Sequence, residues 1–266
     1  MAQSFSGKVV WITGASSGIG EALVHEFANM GSKVILSARR EEELKRVQKE
    51  AKLNDTNSMV LPLDLYKHDT IGAAVEKIKA KFGAVDVVVC NAGVAQRSFV
   101  KDSKLEVDKQ IMELNFFGVT ALTKAVLPDM IASKTGNIVV ISSVMGKIGI
   151  PFRAMYCASK HALHGFFDAL RGEVYKDNIQ VTIICPGYVK TNVSLNAVTS
   201  DGHLYGKMDA AQEKGITPEK CAKGIINAVS RGKEEVFIGG AEVIAPQFKR
   251  FFPGLFSAII KRRDFH

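Results

Sequence analysis

The sequence predicts an α/β protein in three layers, a doubly wound parallel sheet of about seven strands with helices on both faces. Two observations carry this. Short β-branched runs recur along the chain and are apolar on both faces, the pattern of strands covered from above and below. Between most of them lie segments with apolar residues at helical spacing, such as Leu23, Phe27 and Met30, or Val75, Ile78 and Phe82. No repeat, low-complexity tract or linker interrupts the alternation, and 266 residues at 47% hydrophobic suit one domain with one substantial core.

In chain order, the first strand is read at Lys8 to Thr13 and is followed by a helix running to about Met30. The second strand, Lys33 to Ser37, leads into the charged helix Glu41 to Glu50. Met59 to Leu63, Val85 to Cys90, Asn137 to Ser142, Val181 to Cys185 and Val236 to Ile238 supply the remaining strands. Long apolar-faced helices are expected around Leu105 to Met130 and Tyr156 to Tyr175. A doubly wound sheet binds ligands at the carboxyl ends of its strands, so chemistry is to be sought just after each run.

After the first strand comes Thr13-Gly14-Ala15-Ser16-Ser17-Gly18-Ile19-Gly20, opening a helix. Glycines there allow a tight turn and close backbone approach to a pyrophosphate, whose charge meets the free N–H groups of the helix start. The spacing G-x-x-x-G-x-G departs from the usual dinucleotide fingerprint, and alone it would fit a plain strand-to-helix turn. The second strand end chooses the cofactor. An NAD site places an acid there for the ribose 2′-hydroxyl, whereas a 2′-phosphate needs positive charge. This chain reads Ser37-Ala38-Arg39-Arg40, with no acid until Glu41, which points to NADP(H) with Arg39 as main contact and Ser37 and Arg40 as accessories.

The bulk properties narrow the classes without choosing one. The 35 Lys plus Arg against 27 Asp plus Glu give a formal +8, favouring anionic partners, although nucleic acid is not expected. Cys90, Cys157, Cys185 and Cys221 have no C-x-x-C spacing and suit a reducing compartment. Met1 to Gly7 is short and polar, unlike a secretion signal, and Phe251 to Ile260 is too short to span a bilayer. An intracellular protein, cytoplasmic or peripheral to an endomembrane and without a transmembrane helix, is expected.

The order and spacing of Thr13 to Gly20, Asp64-Leu65, Asn91-Ala92-Gly93, Asn115, Ser143, Tyr156-Cys157-Ala158-Ser159-Lys160 and Pro186-Gly187 resemble the short-chain dehydrogenase/reductase family from end to end. The resemblance implies a Rossmann fold and a catalytic tetrad of Asn115, Ser143, Tyr156 and Lys160. It also implies Asp64, Leu65, Asn91, Ala92 and Gly93 near adenine and ribose. Pro186, Gly187, Val189 and Thr191 would then lie against the nicotinamide.

Those roles make physical sense. Carbonyl reduction needs a proton donor and stabilisation of a developing alkoxide. A phenol can donate if a nearby cation lowers its pKa, and Tyr156 and Lys160, four apart, share one helix face. Ser143, just past the fifth strand, offers a hydroxyl to the substrate oxygen. By resemblance Lys160 also holds the nicotinamide ribose, and Asn115 bends its helix and holds a water of a proton relay. His161 and His164 share a helical face, but no third metal ligand is indicated and no metal is expected.

Residues 188–215 follow the sixth strand, where the family builds its substrate lid. Here the chain is similar to the dehydrogenase/reductase member 7 and 7B group, which implies a lipid-like carbonyl substrate of steroid, retinoid or acyl- or alkyl-dihydroxyacetone phosphate type. That group's N-terminal membrane anchor is not carried over, because the first strand begins about eight residues in. The tail, 240–266, alternates Phe248, Phe251, Phe252, Leu255, Phe256, Ile259 and Ile260 with Lys249, Arg250, Lys261, Arg262 and Arg263. Such a segment suits a headgroup layer, a subunit interface or a pocket wall, with Pro253-Gly254 splitting it into two short helices. Homodimers or tetramers are implied by the family. The competing reading is a cofactor-bound sensor or scaffold with incidental turnover at a membrane surface, which would have no need of an intact tetrad.

Overall fold

A computed structural model describes residues 3–262. Seven parallel strands run in the order β3-β2-β1-β4-β5-β6-β7 among the described residues. They are β1 Val9–Thr13, β2 Lys33–Ser37, β3 Ser58–Val60, β4 Val87–Cys90, β5 Gly136–Ile141, β6 Ile179–Pro186 and β7 Glu235–Ile238. The helices are α1 Gly18–Asn29, α2 Glu41–Glu50, α3 Ile71–Phe82, α4 Leu105–Met112, α5 Gly118–Ser133 and α6 Ala154–Glu173, then α7 Ala210–Glu213, α8 Pro218–Ser230, α9 Ala245–Phe251 and α10 Pro253–Arg262.

Because side chains alternate along a strand, each central strand feeds two cores. Trp11, Ile35, Val88, Ile138 and Val140 meet Ile78 of α3, Leu122 and Val126 of α5, and Leu163 and Phe167 of α6. Val10, Ile12, Leu36, Val89 and Val139 meet Leu23 and Phe27 of α1, Leu44 of α2, and Ile225 and Val229 of α8. The three layers expected from doubly apolar strands are these. The chain winds outward from β1 in both directions, so the strand order reverses between β1 and β4 and leaves a crevice above their carboxyl ends.

Several boundaries differ from the sequence reading, for local reasons. The third strand is expected at Met59 to Leu63, but its ladder stops at Val60; Leu61 and Leu63 still donate to the carbonyls of Leu36 and Ala38, while Pro62 between them has no N–H to give. The fourth begins at Val87 rather than Val85. The Asp86 carboxylate turns aside to accept from the Val9 N–H and the Lys8 ammonium, both at 2.8 Å. The fifth covers Gly136–Ile141, one residue earlier than Asn137 to Ser142.

The tail splits as expected, with Phe252 between α9 and α10; Arg263 lies outside the described residues. The continuous helical stretch Leu105–Ser133 is long and apolar enough to cross a membrane. Its Val107, Ile111, Val119, Leu122, Val126 and Met130 are buried in the protein, so here that apolar face serves the core.

Candidate active site

The crevice encloses about 490 Å³ and is lined from one end by Gly14, Ser16, Ser17, Gly18, Ile19, Arg39 and Arg40. Toward the other end lie Ser143, Tyr156, Lys160, Pro186, Gly187, Val189 and Thr191. Asp64, Leu65, Asn91, Ala92 and Gly93 line it between them. The predicted site residues therefore meet in one cleft, with Gly20 and Asn115 behind its wall.

The glycine turn is shaped as a cradle. Gly14 has φ +65°, and a Cβ there would sit 2.7 Å from the Asn91 amide and 3.0 Å from Ala92 Cα. A Cβ on Gly20 would run into the Gly14 carbonyl, so α1 can approach β1 this closely only without one. Ser17, the N-cap of α1, makes no side-chain cap, leaving the first-turn N–H groups directed at the crevice without a side-chain partner. Asn91, on the cleft wall, has a second role. Its side-chain amide donates to the carbonyls of Thr13 (3.0 Å) and Gly14 (3.2 Å), so it braces the turn from beneath.

At the end of β2 the expected basic pair is present and exposed. Arg40 reaches the Ser16 hydroxyl at 3.4 Å, and neither Arg39 nor Arg40 is in an ion pair among the described residues. Nearby Arg46 is consumed by Glu21, Glu43 and Glu50 at 2.8, 2.9 and 2.7 Å. Ser37 does not join the basic pair. Its hydroxyl donates to the Leu61 carbonyl and accepts from the buried Trp11 indole, both at 2.8 Å, while the residue itself lines the cleft beside Arg39.

At the other end α6 presents Tyr156 and Lys160 on one face, with the Lys160 ammonium 5.8 Å from the Tyr156 ring centre. Ser143 closes the group: its hydroxyl accepts from the Met145 N–H at 3.1 Å and hydrogen-bonds the Tyr156 phenol. Lys160 donates to the Ile141 carbonyl at 2.8 Å. Asn115 is fully buried in a π-helical turn, Glu113–Phe117, that links α4 to α5. Its side chain accepts from the Val94 N–H (2.8 Å) and donates to the Val94 carbonyl (2.9 Å) and the Ser159 hydroxyl (3.0 Å). Ser159 in turn donates to the Tyr156 carbonyl at 2.8 Å.

The electrostatics differ from the simplest sequence argument. Burial pushes the Tyr156 phenol up, opposed by the hydrogen bond to Ser143 and by the charges of Arg97 and Arg153. Burial also pulls Lys160 down to about 8. Two arginines that the sequence did not single out therefore add their charge to the Tyr156 environment, beside Lys160.

Those arginines anchor the segment 188–215. Asp209 bridges Arg97 and Arg153, the second at 3.0 Å, and all three are largely buried. Burial would raise the Asp209 carboxyl, but the two guanidiniums outweigh it and hold it below the ordinary range. Arg97 follows β4, Arg153 immediately precedes α6, and Asp209 lies within 188–215, so one carboxylate pins the lid to the catalytic helix. Main-chain bonds between Arg97 and Val198 (2.8 Å) and between Val198 and Ala95 (2.9 Å) continue the seam. No local pattern announces it, since Arg97 and Asp209 are 112 residues apart.

His161 and His164 do not converge: His161 Nδ1 lies 2.8 Å from the Cys157 carbonyl, whereas buried His164 sits between Glu235 (3.1 Å) and Ser142 (3.0 Å). His164, Cys185 and Glu235 do approach within 4.8 Å of one another. Lys147 already holds that Glu235 carboxylate at 2.6 Å, and His164 Nε2 faces the Ser142 hydroxyl, so these groups are engaged within the protein.

A glycine cradle at β1, a basic strand end at β2 and a Ser-Tyr-Lys group on one helix define a dinucleotide-dependent oxidoreductase class. The short chain dehydrogenase family model matches residues 8–201, and the chain belongs to that family. It is 46% identical to a dehydrogenase/reductase SDR family protein 7-like from Anopheles gambiae, over 98% of this chain and 84% of that protein. It is 42% identical to dehydrogenase/reductase SDR family member 7B of Mus musculus, over 96% of this chain and 80% of that protein. Among solved structures, a metagenomic short-chain oxidoreductase in complex with NADP superposes with a TM-score of 0.72 at 28% identity, covering 89% of this chain and 98% of that one.

Proposed function

We propose that the protein interconverts a carbonyl and an alcohol of a lipid-like substrate using NADP(H), with Tyr156 as proton donor in reduction. The observation that carries this reading is one cleft with a Ser143-Tyr156-Lys160 group at one end and, at the other, two arginines that make no ion pair among the described residues. The cradle fits a dinucleotide: its turn has no room for a Cβ at Gly20, and the first turn of α1 is uncapped by side chains.

Arg39 and Arg40 would hold a 2′-phosphate through charge-assisted hydrogen bonds, and Lys160 would hold the nicotinamide ribose. When bound, the nicotinamide supplies or accepts the hydride. The chain itself manages the proton. In reduction the Tyr156 O–H bond breaks toward the carbonyl oxygen as the new C–H bond forms, and Ser143 donates a hydrogen bond to the same oxygen. Lys160 stabilises the resulting phenolate. Burial keeps the phenol protonated at neutral pH, which suits a donor. A lipid-like substrate is supported by Leu114, Val193 and Leu204 on the cleft wall.

The test is oxidation of NADPH and NADH with a panel of carbonyls (steroid ketones, retinal, diketones and acyl-dihydroxyacetone phosphate), run on wild type and Arg39→Asp. Turnover of at least one panel member is expected, with NADPH preferred and the preference falling about a hundredfold in the variant. An unaltered ratio would mean the 2′-phosphate is read elsewhere, and absence of turnover with every carbonyl would sink the reading.

A further inference from the structure

The end of the described chain leaves an apolar stripe uncovered. Phe251, Phe252, Leu255 and Ile259 are 70, 57, 55 and 46% exposed, although Phe248, Phe256 and Ile260 beside them are half-buried. Leu255 and Ile259 lie one turn apart on one face of α10, Phe252 stands at the break before it, and Phe251 ends α9. The stripe is held in shape by ring contacts of Phe248 with Phe252 (5.6 Å) and with Phe256 (6.4 Å). From Val243 to Arg262 the chain carries four cations, Lys249, Arg250, Lys261 and Arg262, and no acid.

Charge decides between two ways of covering such a stripe. A second copy would place the same patch, cations included, against itself, because a twofold interface is self-complementary. Like charges facing one another across an interface oppose association. An anionic lipid surface removes the conflict: it accepts the apolar side chains and attracts the cations that flank them. We propose that α9 and α10 dock the protein on an anionic bilayer surface, with Phe251, Phe252, Leu255 and Ile259 entering the headgroup layer and Arg250, Lys261 and Arg262 meeting lipid anions.

The base of the tail is tied to both rims of the cleft. Lys249 donates to the Lys147 carbonyl at 3.2 Å, four residues past Ser143, and Glu242 accepts from the Tyr188 N–H at 2.8 Å, where the lid begins. Docking through this stripe therefore brings the cleft's mouth to the bilayer, so that an apolar carbonyl can enter without crossing bulk water. That consequence rests on the lipid-like substrate proposed above; the docking itself does not.

The experiment is co-sedimentation with phosphatidylcholine vesicles, with and without phosphatidylserine, measured alongside turnover of a water-soluble carbonyl and light scattering in the absence of lipid. Binding is expected only with phosphatidylserine. It should fall roughly a hundredfold in the triple variant Arg250→Glu, Lys261→Glu, Arg262→Glu. A fall of at least about tenfold is expected in Phe252→Ser, Leu255→Ser, Ile259→Ser, with soluble turnover unchanged in both. Equal binding of wild type and variants would overturn the proposal. So would a dimer that the serine variant dissolves while vesicles capture nothing, because a second copy would then cover the stripe. Loss of soluble turnover in wild type bears on the carbonyl chemistry alone, since sedimentation reads docking without it.

Discussion

The two ends of the cleft are built differently. The nucleotide end is main chain: a glycine turn, the uncapped start of α1 and strand ends ordered by a sheet whose Val10, Ile12, Leu36 and Val89 are wholly buried. The lid end depends on a largely buried side-chain bridge, Asp209 between Arg97 and Arg153, alongside a few main-chain bonds around Val198 in place of any long element. A backbone cradle tolerates change at exposed positions but none at its glycines. A lid pinned by one carboxylate is free to vary in between and depends on that carboxylate. The division suits a protein that binds one invariant cofactor and is adapted to a particular substrate.

The largest effect should come from the cradle. Gly20→Ala puts a methyl group into the Gly14 carbonyl and the Asn91 amide, forcing α1 away from β1. Dinucleotide affinity, measured by NADPH fluorescence, should drop at least about a hundredfold, from the loss of several backbone hydrogen bonds at once. Unchanged affinity would mean that the turn is not the pyrophosphate site.

At the lid, Asp209→Asn leaves two buried guanidiniums without a counter-charge, a change costing about 3 kcal/mol where a buried pair is broken. Proteolysis within 188–215 should accelerate and KM for the carbonyl should rise, while NADPH affinity stays as it was. Asp209→Glu should recover part of the loss. If Asp209→Asn instead weakens NADPH binding as strongly as substrate binding, the two ends of the cleft are not separable. Acid alone should not release the lid until strongly low pH, because Asp209 is held below its ordinary carboxyl range and loses its charge only as pH falls through that lowered value.

The smallest effect concerns pH. Lys160 is pulled down to about 8, against 10.5 for an ordinary lysine, because burial disfavours its charge. The ammonium is present below that value and lost as pH rises through it. NADP⁺ affinity should therefore decline by a few-fold between neutrality and pH ~9.5, and the decline should be absent in Lys160→Met. A flat wild-type profile would remove Lys160 from the ribose site.

Much of the nucleotide end could be read from the chain because its determinants are local. Gly14 to Gly20 and Arg39 sit at the strand ends they serve, and Tyr156 and Lys160 are one helical turn apart. What could not be read depends on contacts between distant segments or on which way a side chain turns. Arg97, Arg153 and Asp209 carry no local signature of their meeting. Ser37 and Asn91 sit where expected in the chain, yet their polar atoms bond inward to Trp11 and Leu61, and to Thr13 and Gly14. The π turn at Asn115 follows from its side chain mimicking a peptide group toward Val94, a pairing invisible in an apolar run.

The most direct test of a proton-donating Tyr156 separates binding from chemistry in a single variant. Tyr156→Phe removes one oxygen atom from the cleft and leaves the cradle, Arg39 and Lys160 in place. NADPH affinity should stay within about twofold of wild type, because the contacts that hold the dinucleotide are elsewhere, while carbonyl turnover falls by about 10³. Turnover equal to wild type, or a loss of turnover matched by an equal loss of NADPH binding, would contradict the proposed role of Tyr156.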